Sequence, residues 1–426
     1  MNDSSMFARL GSLTENIRVA IIGAGAMGKG LFYQCHITPG MQCVAIADID
    51  IDKCIACVEW LGYEYKVVST LDELHDTIQR GMVAICEDGE LLSRCASATV
   101  LIESSSSIRD AGRFAVTALE HRKHLILMNA EIDLIFGPYF KSLAHKNGVV
   151  YTSCDGDQHT VIKRLTNDLQ LWGFDLVMAG NIKGFLDRYS NPTKIIPEAD
   201  KRHLDYKMAT AYTDGTKLCI EMALVANNLG LSTAVPGMQG PRVNHVHEVF
   251  DCFDLPALWD NKQPVVDYIL GAEPGGGVFV IGHGDNKYQQ EMLTYYKMGQ
   301  GPFYLFYRPY HLCHIEAMAC IAEAALDGYA LLQPSGGFQT NVYTYAKRDL
   351  RQGELLDGVG GYTCYGLIEN CADNLESPGL PICLADGVTL KRDVNRDEKI
   401  LMTDVSYDPQ SFEFDLFSKA QEHSIR

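Results

Sequence analysis

The stretch that decides the fold is Ile17-Arg18-Val19-Ala20-Ile21-Ile22-Gly23-Ala24-Gly25-Ala26-Met27-Gly28-Lys29-Gly30. A short apolar run meets Gly23-x-Gly25-x-x-Gly28 and passes through Ala26 and Met27 into a helix-forming segment. This is the pattern of a turn that seats a dinucleotide pyrophosphate. Gly23 allows the tight turn, Gly25 lets backbone approach the phosphates, and Gly28 lets helix pack on strand. The phosphates then rest on the free N–H groups of the helix start. A second strand-like run, Cys43-Val44-Ala45-Ile46-Ala47, ends in Asp48, where an acid meets the adenosine ribose hydroxyls. A carboxylate there accepts from a free 2′-OH and repels a 2′-phosphate, which usually requires an Arg. Ile49-Asp50-Ile51-Asp52 adds more acid, and Lys53 is the nearest cation. NAD(H) is favoured, with NADP(H) as the alternative.

At 426 residues the chain is too long for one compact core and suits two or three domains. Its net charge of −18 argues against nucleic acid and against an anionic membrane as partners, since both require basic surfaces. A local basic pocket for an anionic substrate is compatible with it. No apolar run approaches the ~20 residues of a membrane span. Residues 1–16 lack the basic start and apolar core of a signal peptide. The expected location is cytoplasmic, with all 14 cysteines reduced. Cys54-x-x-Cys57, with no second pair to complete a four-ligand site, reads as core packing.

The expected class is α/β. Short apolar runs at Val19–Ile22, Val44–Ala47, Val100–Ile102, Leu125–Met128 and Val149–Thr152 alternate with helical stretches such as Ile108–Glu120 and Tyr139–Asn147. That alternation predicts a parallel sheet covered by helices, a Rossmann dinucleotide-binding domain over residues 1–152. A mixed α+β catalytic domain is expected over 153–340. It has a strand at Leu176–Ala179 and a helix over Tyr212–Leu229, opened by Thr213 or Asp214 and closed by Gly230. Further strands are expected at Val278–Ile281 and Phe303–Tyr307, and a long buried helix over Pro309–Leu332. Residues 341–426 read as a small β-rich module and tail, with short strands at Asn341–Ala346, Gly353-Glu354, Gly358–Gly361 and Leu380–Ala385.

The motifs, taken in order, resemble the homoserine-dehydrogenase-like oxidoreductases with a C-terminal SAF-type module. The deoxyxylulose-phosphate-reductoisomerase-like (DXR-like) enzymes are close to them. The matching stretches are Gly23–Gly28; Met128-Asn129-Ala130-Glu131 with Gly137-Pro138; Gly156-Asp157-Gln158; Asp214-Gly215-Thr216-Lys217 with Glu221-Met222-Ala223; Gly237–Arg242; Arg308-Pro309-Tyr310-His311-Leu312; and Ala346–Leu350 with Gly353-Glu354 and Leu356-Asp357. The resemblance implies an NAD(P)-dependent dehydrogenase or reductase acting on a CH–OH group, a homo-oligomer, and a role in carbohydrate metabolism. Three departures stand out. The reductoisomerase-like members use NADPH, whereas Asp48 favours NADH. Glu103-Ser104-Ser105-Ser106 replaces the usual Asp-Ala-Thr-Gly, in a loop that the resemblance places beside the nicotinamide, with Ser104 as a cofactor contact. Asp214 and Lys217 stand three apart rather than four, which argues against homoserine itself as substrate.

Hydride transfer to a carbonyl needs a group that protonates or polarises the forming alkoxide, usually Lys or His. Lys217 falls in the first turn of its helix with Glu221 one turn on, so both share a face that is otherwise apolar. Lys217 is expected to act as the acid or base or as the polarising group, with Asp214 beside it and Glu221 orienting it. Lys183 is expected in a loop contacting substrate. Arg308 and His311 at a strand-to-helix junction, and Arg242 after Gly240-Pro241, are candidate anchors for a substrate anion. His314 and Glu316 are weaker, more exposed candidates. Asn129 is placed to bond the nicotinamide or its ribose. Glu131 and Asp157 are candidate substrate contacts, and candidate ligands for a divalent metal if the substrate is chelated. His245 and His247 read as solvated, and Gly275-Gly276-Gly277 as a plain turn. The leading reading is hydride transfer between nicotinamide and a small, anionic, polyhydroxy or sugar-derived carbonyl compound. The alternatives are 1-deoxy-D-xylulose 5-phosphate reductoisomerase chemistry and an inactive NAD-binding sensor.

Overall fold

The computed structural model describes residues 4–202 and 204–424. Residues 1–3 and 425–426, the two ends of the segments expected above, lie outside the described residues. The chain forms two units, each assembled from separated segments. The first comprises Met1–Asp157, Leu312–Gln333 and Asp415–Arg426; the second comprises Gln158–His311 and Pro334–Phe414. No helix among the described residues is long and apolar enough to cross a membrane.

The first unit is built on seven strands: β1 (Ile17–Ile22), β2 (Met41–Ala47), β3 (Tyr65–Val67), β4 (Val83–Cys86), β5 (Val100–Glu103), β6 (His124–Leu127) and β7 (Tyr151–Ser153). All pair in parallel, in the order β3-β4-β2-β1-β5-β6-β7. This is the α/β class read from the alternation. Strands covered on both faces are apolar throughout, and Val19, Ala20, Ile21, Val100, Leu101 and Ile102 are all fully buried. The strand order reverses at β1, which has β2 on one side and β5 on the other. Ligands of open α/β sheets bind at the carboxyl ends of strands at such a point. The register pairs Ile22 with both Ala47 and Glu103, bringing Gly23, Asp48 and Ser104 to one edge.

Strands β3 and β4 have no counterpart among the expected elements, although Val83-Ala84-Ile85-Cys86 is a buried apolar run. The long helix expected over 309–332 is instead Cys313–Ala322 followed by a π-helical turn, Glu323–Asp327, that stops at Gly328 with φ 62°. Glu323 and Asp327 fall in that turn. Cys54 and Cys57 are buried in the helix Ile51–Trp60, consistent with a packing role.

The second unit carries a five-stranded mixed sheet. Its strands are β8 (Asp175–Lys183), β9 (Ser232–Thr233), β10 (Val265–Leu270), β11 (Val278–His283) and β12 (Phe303–Arg308), in the order β12-β11-β8-β10-β9. Strand β8 runs parallel to β10 and antiparallel to β11. Side chains alternate across a strand, so Ile182, Ile269 and Phe279 join a core with Val246, Val249, Phe253 and Leu255 on one face. Asn181, Lys183 and Tyr268 point to the opposite face. There the helix Thr216–Leu229 lies across β8 and β10.

That helix begins at Thr216, not Tyr212. Gly215, at φ 87°, breaks the chain between it and the preceding helix Tyr206–Asp214. Asp214 still acts at the junction, accepting from the Thr216 N–H at 2.8 Å. The β-rich part is an antiparallel pair, β13 (Thr340–Ala346) with β14 (Cys364–Asn370), and a short pair, β15 (Thr389–Leu390) with β16 (Val405–Ser406). The strands expected at Gly353-Glu354 and Gly358–Gly361 are turns, with Gly358 and Gly360 at positive φ. Leu380–Ala385 contains a short 3-10 turn, Ile382–Leu384, rather than a strand.

Candidate active site

The glycine turn of the first unit has the construction that a nucleotide loop needs. Gly23 sits at φ 94°, and a Cβ there would lie 2.8 Å from the Ser104 backbone. A Cβ on Gly28 would lie 1.7 Å from the Gly23 carbonyl oxygen, so only glycine lets the helix start this close to the strand. Gly25 differs: a Cβ there would meet no atom within 4 Å. No protein contact demands glycine at Gly25, whereas a pyrophosphate approaching the backbone does. Ala26 and Met27 open the helix Ala26–Ile37, with Gly25 as its cap. The Asp48 carboxylate accepts from the Ala24 N–H at 2.7 Å and the Asp50 N–H at 2.9 Å. It is thereby fixed beside the loop, as a ribose-binding acid must be. Ser104 donates to the carbonyls of Ile22 (2.8 Å) and Gly23 (3.1 Å), so its hydroxyl braces the turn.

At the end of β5 lies a group that reading the loop as a departure from a pattern did not single out. Glu103 is wholly buried. Burial lifts its carboxyl to about 8, against hydrogen bonding from Ser105 that favours the anion. One carboxyl oxygen accepts from the Ser105 N–H at 3.0 Å; no donor among the described residues reaches the other. The side chain is therefore neutral at pH 7. Asn129 donates to the carbonyls of Ser105 (3.0 Å) and Ser107 (2.7 Å) and accepts from the Ile132 N–H (3.3 Å). Its amide is committed to holding the loop over residues 105–107 and capping the helix Ala130–Asn147. Glu131 is buried in the first turn of that helix, and Asp157 follows the end of β7. Among the described residues Glu131 belongs to no cluster of three His, Cys, Asp or Glu ligand atoms, whereas Asp157 has the Cys313 thiol within 4.8 Å in this unit. His314, expected to be exposed, packs its ring against Gly30, and burial lowers its imidazole pKa.

In the second unit the sequence candidates converge at one end of the five-stranded sheet. Lys183 is the last residue of β8 rather than a loop residue, and pairs with Leu270 at the end of β10. Burial lowers its ammonium below the usual lysine range, while the carboxylates of Glu221 and Asp214 pull it back up. Lys217 and Glu221 are both 4% exposed, as their placement on a shared buried face requires. Asp214 is as deeply buried. Burial raises its carboxyl, and the Lys347 ammonium, 2.8 Å away, opposes the rise. Lys347 also donates to the carbonyls of Ser190 and Gly361, each at 2.8 Å. Lys347 lies in a quoted motif, Ala346–Leu350, but only the fold shows that its partner is Asp214.

The anion candidates surround the same sheet end. Arg308 closes β12 opposite Val278, with its guanidinium 4.7 Å from the Tyr310 ring centroid. His311 donates from Nδ1 to the Gly276 carbonyl at 2.6 Å, which leaves Nε2 as the unprotonated nitrogen of the neutral ring. The Gly276 N–H in turn bonds the Ile182 carbonyl, so the triglycine turn ties His311 to the end of β8. Arg242 is exposed, bridged to Leu270. The turn before it hangs on Asp267, which accepts from the N–H groups of Gln239 (3.1 Å) and Gly240 (2.9 Å) and which burial lifts to about 6. His245 and His247 are exposed and stacked on one another, 5.1 Å between ring centroids.

Residues 156–317 match the family model described as oxidoreductase DRL, catalytic domain. Asp157, Lys183, Asp214, Lys217, Glu221, Arg242, Arg308 and His311 all fall inside the match. No curated protein matches the chain. Among solved structures the chain is similar to DOX-P reductoisomerase in complex with magnesium, at 12% identity and a TM-score of 0.35, covering 49% of this chain and 56% of that one. It thus spans about half the length of that structure. It is also similar to a probable dehydrogenase from Thermotoga maritima (10% identity, TM-score 0.40, 74% and 90% covered). A third is scyllo-inositol dehydrogenase from Lactobacillus casei with bound NAD(H) and scyllo-inositol (13%, 0.36, 63% and 74%). Likenesses this remote carry no activity or substrate across. The family match supports an oxidoreductase, and the chemistry has to be argued from this chain's own residues.

Proposed function

We propose that the chain is an NAD(P)-dependent oxidoreductase that moves a hydride between nicotinamide and a small, anionic, polyhydroxy or sugar-derived carbonyl compound. The observation that carries this reading is the partly buried Lys183 ammonium beside Glu221 and Asp214, inside the stretch that matches an oxidoreductase catalytic domain. Bound nicotinamide supplies the hydride. Gly23, Gly25 and Gly28 would seat its pyrophosphate, Asp48 its adenosine ribose, and Asp48 favours NADH over NADPH.

Carbonyl reduction also needs a proton on the forming alkoxide, and its reversal needs a base. A lysine with a lowered pKa serves both near neutral pH. Lys183 takes that role. Burial lowers its pKa, Glu221 and Asp214 oppose the fall, and Lys347 pairs with Asp214. Lys217, in the first turn of the helix, polarises the carbonyl oxygen. Of the two roles expected for Lys217, acid or base and polarising group, this division keeps the second.

The second reading, reductoisomerase chemistry, would add a metal-assisted rearrangement. Glu131 and Asp157 are the carboxylates on offer for it, and no step here is routed through a metal. The test is turnover of NADH with a panel of sugar-derived ketones and aldehydes, with and without magnesium. Lys183→Met and Lys217→Ala should each lower kcat by about a hundredfold or more while NADH binding persists. Full turnover in either variant would remove that residue from the assignment. NADH binding with no turnover on any compound would favour the sensor.

A further inference from the structure

Arg188 is five residues beyond the end of β8, in a loop that the sequence reading passed over. Its loop is well anchored. The Asp187 N–H bonds the Thr213 carbonyl at 2.8 Å, and Leu186 packs against Gly215, at the junction that carries Asp214. The Arg188 guanidinium lies 5.4 Å from the Tyr365 ring centroid. Tyr365 is stacked on Tyr345, its cross-strand partner, at 5.8 Å. Burial raises the phenols of Tyr268, Tyr345 and Tyr365 and the Cys219 thiol, and the Arg188 charge opposes the rise at all four. These groups come from β10, β13, β14 and the helix Thr216–Leu229. Arg188 therefore reaches the face of the sheet on which Asn181 and Lys183 stand.

The acids nearby are already engaged. Asp214 pairs with Lys347, and Asp267 accepts backbone N–H groups. Glu369 pairs with Lys399, and Asp397 pairs with Arg396 and accepts from Tyr189 and Tyr365. Among the described residues Arg188 donates no hydrogen bond and has no carboxylate within ion-pair distance. Its one specific contact is the Tyr365 ring. A partly buried cation without a counter-ion is costly, and a planar fork of donors fits an oxyanion in two places at once. We propose that Arg188, walled by Tyr268, Tyr345 and Tyr365, binds the phosphate or carboxylate of the substrate. This rests on reading the second unit as the substrate-binding unit. It assigns the anchor to Arg188 in place of Arg242, which is exposed.

The test is calorimetric titration of the full chain at pH 7 with inorganic phosphate and, separately, malonate, followed by NADH. Arg188→Gln is compared with wild type and with Arg351→Gln, a surface arginine paired with Asp393. Wild type and Arg351→Gln should bind one of the two anions, and the tighter one identifies the substrate group. Arg188→Gln should bind it at least about tenfold more weakly with NADH affinity unchanged. Equal anion affinity in Arg188→Gln and wild type, or binding of neither anion by wild type, overturns the proposal. If Arg188→Gln loses its cooperative melt, phenylglyoxal labelling of wild type decides. The bound anion should protect Arg188 several-fold, and unprotected labelling overturns the proposal. Failure of wild type to bind NADH would count against the oxidoreductase reading alone, leaving the anion result to stand or fall on its own.

Discussion

Gly25 and Gly28 separate two reasons for a glycine. Gly28 is required by the protein, because a Cβ there would sit inside van der Waals contact with the Gly23 carbonyl. Gly25 has open space where its side chain would be. Gly25→Ala should therefore melt like wild type yet bind NADH about tenfold or more weakly. Gly28→Ala should lose about 1–3 kcal/mol of stability as well as binding. Thermal melts and titrations on both variants check this.

Glu103 gives a pH signature of its own. Its folded-state pKa of about 8 lies above the unfolded value, so the folded chain holds the proton over a range in which the unfolded chain has lost it. That stabilisation is complete below the unfolded value and disappears as pH rises through about 8. It amounts to on the order of 5 kcal/mol. Glu103→Gln should flatten the fall in melting temperature between pH 5 and 8, and an unchanged slope would show that Glu103 is not the group responsible. The glycines and Asp48 are legible in the sequence because what they do is local. The neutral state of Glu103 is not, because it follows from being covered on both faces of a sheet that residues far along the chain complete.

At the scale of elements, the helix Thr216–Leu229 organises the second unit. Its apolar residues bury it, and the Glu221 carboxylate on it acts on Lys183 at the end of β8. The shared face of Lys217 and Glu221 is readable from their spacing. The true helix start is not, because a continuous helix over Tyr212–Leu229 fits the apolar pattern equally well. The break depends on Gly215 adopting φ 87°. Strand β3 escapes notice because Tyr65-Lys66-Val67 is half-buried to exposed and carries no apolar run. Strand β4 does carry one, Val83–Cys86, as short as the runs read at β5 and β6. The Asp214–Lys347 pair joins the helix junction to β13–β14. Lys347→Met should cost about 3–5 kcal/mol, since it leaves the Asp214 carboxylate buried without its cation. A denaturant titration measures this, and a loss below about 1 kcal/mol would mean that the pair contributes little to holding the β-rich part in place.

At the scale of the whole molecule, the chain forms two compact units, each built from separated segments. A seven-stranded parallel sheet presents a nucleotide turn, and a mixed five-stranded sheet gathers lysines, carboxylates and arginines at one end. What sequence order obscures is that Leu312–Gln333 and the end of the chain return to the first unit. Three consecutive blocks are the natural reading of a composition that changes twice. The return appears only as long-range pairing, such as the Ser153 N–H on the Leu332 carbonyl at 2.9 Å. The lysines and arginines gathered at that sheet end stand out against a chain whose net charge is −18. The most direct test of the central claim is calorimetric titration of the full chain with NADH and NADPH in parallel. Saturable binding with NADH the tighter ligand is the expected result; binding of neither would contradict the account of the glycine turn, and with it the proposed oxidoreductase.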